Sequence, residues 1–148
     1  NIDRLGKVSD GNTVSDFDAE EIKRKFSISS AIAPVEFYDH KFNFIDTPGY
    51  FDFVGEVHQA MRVADAAIIV CTAKNGVQVG TELAWKRVNE KKMPRMIYIS
   101  KIDEENARYY NVYEQLREKF GVSVCPMVIP AIVDEKIIGI IDLMPIFF

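Results

Sequence analysis

The sequence has 148 residues, 48% of them hydrophobic, and a formal net charge of -4. A chain of that length can bury one core, and its weak acidity argues against nucleic acid held mainly by this segment's own charge. Its two cysteines, Cys71 and Cys125, lie in apolar runs without CxxC spacing and read as buried, reduced thiols of a cytoplasmic protein.

The opening "NIDRLGKVSD" has no apolar signal-peptide core. The longest apolar run, "IIGIIDLMPIFF", carries Asp142 and Pro145 and is shorter than the ~20 residues a membrane span needs, so no membrane partner is expected. The missing initiator Met and the Phe147-Phe148 end suggest a piece of a longer protein, truncated at both ends.

Residues 1–26 are polar, with no sustained period, and read as loop with one short helix around "DAEEIKRK". "ISSAIAPVEFY" (28–38) reads as a strand, placed at a sheet edge because Pro34 has no ladder donor. "DHK" (Asp39 to Lys41) is expected to turn the chain into a partner strand, "FNFID". "VGEVHQAMRVAD" puts Val54, Val57, Met61 and Ala64 on one helical face, which leaves His58 on the surface; His40 is expected there too. "AAIIVCTA" is a continuous apolar run, the pattern of a parallel strand covered on both faces.

"GTELAWKRVNEKK" follows as a helix with Leu83, Ala84 and Val88 inward, and "RMIYISK" as another buried strand. In "ENARYYNVYEQLREKFG", Tyr109, Val112, Leu116 and Phe120 share a helix face and Gly121 suits the C-terminal cap. "SVCPMVIPAIV" and "KIIGIIDLM" read as strands joined at "DEK" (Asp134 to Lys136). The alternation predicts an α/β fold with a mostly parallel sheet and one antiparallel edge. Ligands of such sheets bind beyond the carboxyl ends of strands, so Asp46 and Ser100-Lys101-Ile102-Asp103 are expected at one crevice.

The strand "FNFID" ends in Asp46-Thr47-Pro48-Gly49, then Tyr50. A carboxylate at a strand tip suits Mg2+, which keeps much of its water, and a glycine after it lets a backbone N–H approach a γ-phosphate. Asp-x-x-Gly also occurs in ordinary strand-to-helix turns. "SKID" directly ends a buried strand. A fixed carboxylate such as Asp103 can accept both N1–H and N2–H2 of guanine, whereas adenine offers an acceptor at N1; the Lys101 stem can lie along the base. A surface ion pair is the competing explanation for a lone K-x-D.

Together "DTPGYFDFVGEV", "ADAAIIVCTAKNGVQVGTE", "MPRMIYISKID" and "GIIDL" resemble the G domain of translation elongation factor G, a ribosome-associated GTPase with a P-loop NTPase-type fold. The resemblance covers nearly the whole chain in the family's order. It implies a G-domain core over 1–123, with switch I near 10–30 and switch II at 46–54, and the start of the family's insert at 124–148. It implies GTP/GDP and Mg2+ as ligands and the ribosome as partner of the intact protein. Ser27, 19 positions before Asp46, falls where the family has its Mg2+-binding hydroxyl, usually Thr. Asp46 would bind Mg2+ through water; Thr47, Pro48 and Gly49 would line the γ-phosphate, and Ser100, Lys101 and Asp103 would read guanine.

Four features depart from the family pattern. No G-x-x-x-x-G-K-[ST] occurs, the family's final Ser-Ala nucleotide loop is missing, Ser100 replaces the usual Asn, and Tyr50 replaces the histidine that positions the attacking water. The "PGY" form is similar to a paralogue branch, elongation factor G-2-like. Tyr50 either orients water or packs against Phe51 and Phe53 as apolar cover. A GTP-dependent ribosome-docking switch with weak hydrolysis is the alternative reading, and the chain by itself is expected to bind little GTP.

Overall fold

The computed structural model describes residues 6–7, 10–134 and 136–144. The chain forms two compact units, Asn1–Ala67 and Ile68–Phe148. The expectations about the chain ends, at 1–5 and 145–148, and Glu135 of the "DEK" turn lie outside the described residues.

In the first unit the short helix α1 (Ala19–Arg24) starts on a capping box. Asp18 accepts the Glu20 N–H at 2.7 Å, and Glu21 reaches back to the Asp18 N–H at 3.1 Å. Two antiparallel strands follow, β1 (Ala31–Phe37) and β2 (His40–Asp46), paired from Ala31 opposite Asp46 to Phe37 opposite His40. Pro34 faces Asn43 in this two-stranded sheet, where a missing donor is tolerated.

The turn differs from expectation. It lies at Tyr38-Asp39, with φ of 45° and 59°, and His40 and Lys41 belong to β2. Positive φ at both loop residues matches the right-handed strand twist. Beyond β2 comes a 3-10 turn, Phe51–Phe53, and then α2 (Val54–Val63), which buries Ala60 and half-buries Val54, Val57 and Met61; His58 and His40 are exposed, as expected.

The second unit alternates β3 (Ala67–Thr72), α3 (Val79–Glu90), β4 (Arg95–Ser100) and α4 (Tyr109–Phe120). β3 and β4 are neighbours whose C-terminal ends lie side by side, with the Ala73 N–H donating to the Ser100 carbonyl at 2.9 Å. That pairing of like ends, with α3 as crossover, is a parallel arrangement. The core gathers Cys71, Val112 and Leu116, flanked by Val77, Ile97, Ile99, Phe120 and Val124. Trp85 of α3 stacks on Phe120 of α4 at 4.4 Å, and the Arg95 guanidinium sits 4.1 Å over the indole. Gly121 ends α4 at φ 93°, as its cap position predicts.

Two burial expectations are corrected. β3 and β4 are half-buried: Ile69 and Cys71 are enclosed and Ile97 and Ile99 partly so, while Ile68, Val70, Met96 and Tyr98 are exposed. The α4 side chains cover the alternate positions that point at them, and an unbroken apolar run carries no signal of which face that is. Cys125 is exposed rather than buried, because it precedes β5 (Val128–Val133) in a loop; Cys71 is buried, and burial pushes its thiol up. β5 and β6 (Lys136–Asp142) pair antiparallel with a bulge at Ala131/Ile132. Tyr109 and Tyr110 of α4 donate their hydroxyls to the Val128 and Pro130 carbonyls at 3.0 and 2.9 Å, tying this hairpin to the helix.

Candidate functional site

In the first unit, a cleft of about 320 Å³ is lined by Asp16, Lys25, Phe26, Ser27, Gly49 and Tyr50. Ser27 reaches it because α1 ends at Lys25, whose φ of 61° reverses the chain, and Gly49 reaches it from the end of β2. The Ser27 hydroxyl is half-buried and donates to Asp16 Oδ1 at 2.6 Å. Asp16, 7% exposed, also accepts from the Thr13 hydroxyl at 3.3 Å.

Above Gly49 the space is open: a Cβ there would meet nothing within 4 Å. Pro48 behind it is buried and Thr47 half-buried, whereas Asp46 is exposed at the tip of β2 and outside the cleft lining. Tyr50 has a packing partner that neither alternative reading named. Its ring meets Phe26, from the loop after α1, at 4.7 Å and 52°, and Phe26 in turn meets Phe53 at 6.3 Å. Among the described residues its phenol makes no hydrogen bond, so the hydroxyl is available on the cleft.

The second unit carries "SKID". Ser100 closes β4 and donates its hydroxyl to the Cys71 carbonyl at 3.2 Å, so that short side chain ties two strands. Lys101 takes φ 56° and pairs with Glu104 at 3.3 Å. Asp103 is exposed in the turn that follows. The structure brings Ser27, Gly49 and Tyr50 to one cleft of the first unit, and places Ser100, Lys101 and Asp103 at the end of β4 and in the turn after it in the second.

Sequence reasoning missed the residues behind Ser27. Asp16 lies 11 positions away and no pattern marks it. Glu21 was legible, since Asp18-x-x-Glu21 has capping-box spacing. Glu56 of α2 accepts the Ser30 N–H at 2.7 Å, a contact 26 positions apart.

The donors suit a hard cation. Ser27 and Asp46 offer oxygen, and among the described residues no group of three or more His, Cys, Asp or Glu could hold a metal by itself.

Comparison with known proteins gives one consistent answer. The family model "Elongation factor Tu GTP binding domain" matches residues 1–144. Elongation factor G of Gluconobacter oxydans is 38% identical over 141 residues, covering 95% of this chain and 20% of that protein. The mitochondrial ribosome-releasing factor 2 of Culex quinquefasciatus is 34% identical over 140 residues, covering 95% and 19%. A crystal structure of a Thermus thermophilus protein superposes with a TM-score of 0.89 at 37% identity, covering 96% of this chain and 21% of that one. The chain spans about one fifth of the length of these curated relatives. No helix among the described residues is long and apolar enough to cross a membrane. With this fold, this cleft and these matches, the chain belongs to the elongation factor Tu GTP-binding-domain family, as a GTP-binding domain of the elongation factor G-like kind.

Proposed function

We propose that the intact protein is a GTP hydrolase that acts on the ribosome in the cytoplasm, coupling hydrolysis to translocation or to ribosome recycling. The observation that carries this reading is the cleft shared by Ser27, Gly49 and Tyr50, with open space above the glycine. The Ser27 hydroxyl and the Asp46 carboxylate, the latter through water, hold Mg2+, which when bound neutralises phosphate charge. Thr47 and Pro48 shape the turn that presents the Gly49 N–H to a γ-phosphate. Asp103 accepts the paired guanine donors, the Lys101 stem lies along the base, and Ser100 fixes the strand end beneath them. Tyr50 orients the attacking water through its phenol, a role the family usually gives to histidine.

Residues 1–148 alone bind GTP weakly, because no G-x-x-x-x-G-K-[ST] is present to supply the backbone donors that cradle phosphates. The "PGY" form favours the elongation factor G-2-like branch for the intact protein. The deciding experiment is GTP turnover by the full-length protein with and without ribosomes, wild type against Tyr50→His. Strong ribosome stimulation of the wild type supports the hydrolase. Negligible wild-type turnover with a large gain on Tyr50→His overturns it in favour of a docking switch.

A further inference from the structure

The segment that presents Ser27 is gripped by three carboxylates. Asp16 accepts the Ser27 hydroxyl, Glu21 Oε1 accepts the N–H groups of Ile28 and Ser29 at 2.9 Å each, and Glu56 accepts the Ser30 N–H. Glu21 is the centre of this arrangement. It is 1% exposed, and its other oxygen accepts the Asp18 N–H, fixing it to the start of α1. Burial pushes its carboxyl up, but the donors Ser29, Ile28, Asp18 and Phe17 outweigh that and hold it below the usual carboxylate range.

Capping α1 requires only the bond to Asp18 and can be done by an exposed glutamate. Burying the charge is costly, and the two bonds that offset it most go to the residues directly after Ser27. With those two amides fixed, χ1 is the main freedom left to the Ser27 side chain. Its hydroxyl hydrogen points at Asp16, which leaves both oxygen lone pairs for a cation.

We infer that Glu21 is a positioning residue: it locks the Ile28-Ser29 backbone and so aims the Ser27 oxygen at the metal of the bound nucleotide. The inference rests on the reading of Ser27 as the Mg2+-binding hydroxyl, and a mutant cycle separates the two. In the full-length protein, release of a GTP analogue carrying an N-methylanthraniloyl fluorophore is measured against Mg2+ concentration. Wild type, Glu21→Ala, Ser27→Ala and the double variant are compared, with amide exchange at Ile28 and Ser29 as a second readout.

Glu21→Ala is expected to need ~10-fold or more Mg2+ for half-maximal retention, the usual effect of losing an outer-shell partner, and Ser27→Ala, which removes the ligand itself, at least as much. The double variant should match Ser27→Ala alone, and exchange at Ile28 and Ser29 should rise in Glu21→Ala. Additive losses in the double variant, or wild-type Mg2+ dependence of Glu21→Ala, overturn the inference and leave the Ser27 reading standing. No effect of Ser27→Ala overturns both. If Glu21→Ala fails to fold, Glu21→Asp takes its place in the cycle, since a side chain one methylene shorter keeps the charge and draws the oxygen back from the Ile28 and Ser29 N–H groups.

Discussion

Tyr50 offers a test in which packing and chemistry come apart. The residue is 56% exposed, leaving 44% covered, with its ring against Phe26 at 4.7 Å. A tyrosine encloses ~200 Å² when fully buried, so roughly 90 Å² is at stake here. At ~25 cal/mol per Å² that is ~2 kcal/mol, an upper figure because unfolded chains bury some surface too. Loss of the ring pair adds ~0.5–1.5 kcal/mol.

Tyr50→Ala should therefore destabilise the chain by ~2–3 kcal/mol, which at a urea slope of ~1–3 kcal/mol/M lowers the denaturation midpoint by about 1 M or more. Tyr50→Phe keeps the ring and removes a hydroxyl without a partner among the described residues, so it should stay within ~0.5 kcal/mol of wild type. Circular dichroism against urea reads both. A Tyr50→Phe variant as unstable as Tyr50→Ala would refute the packing argument. In the full-length protein the same Tyr50→Phe should lose ~100-fold in GTP turnover if the phenol orients water. Unchanged turnover would remove Tyr50 from the chemistry and leave it as cover for Phe26.

Leu116→Ala, at a position 1% exposed between Val112 and Cys71, should cost ~2–5 kcal/mol, read by urea denaturation followed at Trp85 of the adjoining α3. A thiol reagent at neutral pH should label exposed Cys125 quickly and Cys71 only on unfolding, since burial encloses Cys71 and pushes its thiol up; equal rates would contradict the burial pattern. Against the upward push of burial, the backbone donors hold Glu21 below the usual carboxylate range, so its stabilisation is complete above that range and is lost as pH falls through the lower folded value. Glu21→Gln should accordingly flatten the acid limb of stability, measured as urea midpoints over about pH 3–6.

The parts of the fold that show in the sequence are those written in a period. Val112, Leu116 and Phe120 recur at helical spacing and do lie on one face of α4, and Gly121 ends it. "FNFID" and "SKID" end strands as their punctuation suggests. What a period does not record was missed. Tyr38 carries no turn signal yet adopts φ 45°, because the register of β1 and β2 requires a two-residue loop there. The run Ala67 to Ala73 reads as uniformly apolar, but only the alternate residues Ile69, Cys71 and Ala73 are buried, and Cys71 packs on α4.

At the site, spacing and resemblance singled out Ser27, Gly49 and Tyr50, and the structure puts all three on one cleft. The Asp16 bond to Ser27, the Glu56 bond to Ser30 and the Phe26 contact with Tyr50 were not, since each joins residues whose separation follows no local rule.

Guanine recognition is best tested by competition for nucleotide. The full-length protein, loaded with fluorescent GTP analogue in Mg2+, is challenged with GTP or ATP, as wild type and as Asp103→Asn. GTP is expected to displace the analogue from wild type and ATP is not, and Asp103→Asn is expected to weaken GTP by ~10–100-fold, the worth of a paired hydrogen-bond contact to a base edge. Equal displacement by GTP and ATP, or an unchanged Asp103→Asn, would contradict the assignment of this chain as a guanine-nucleotide domain read by Asp103.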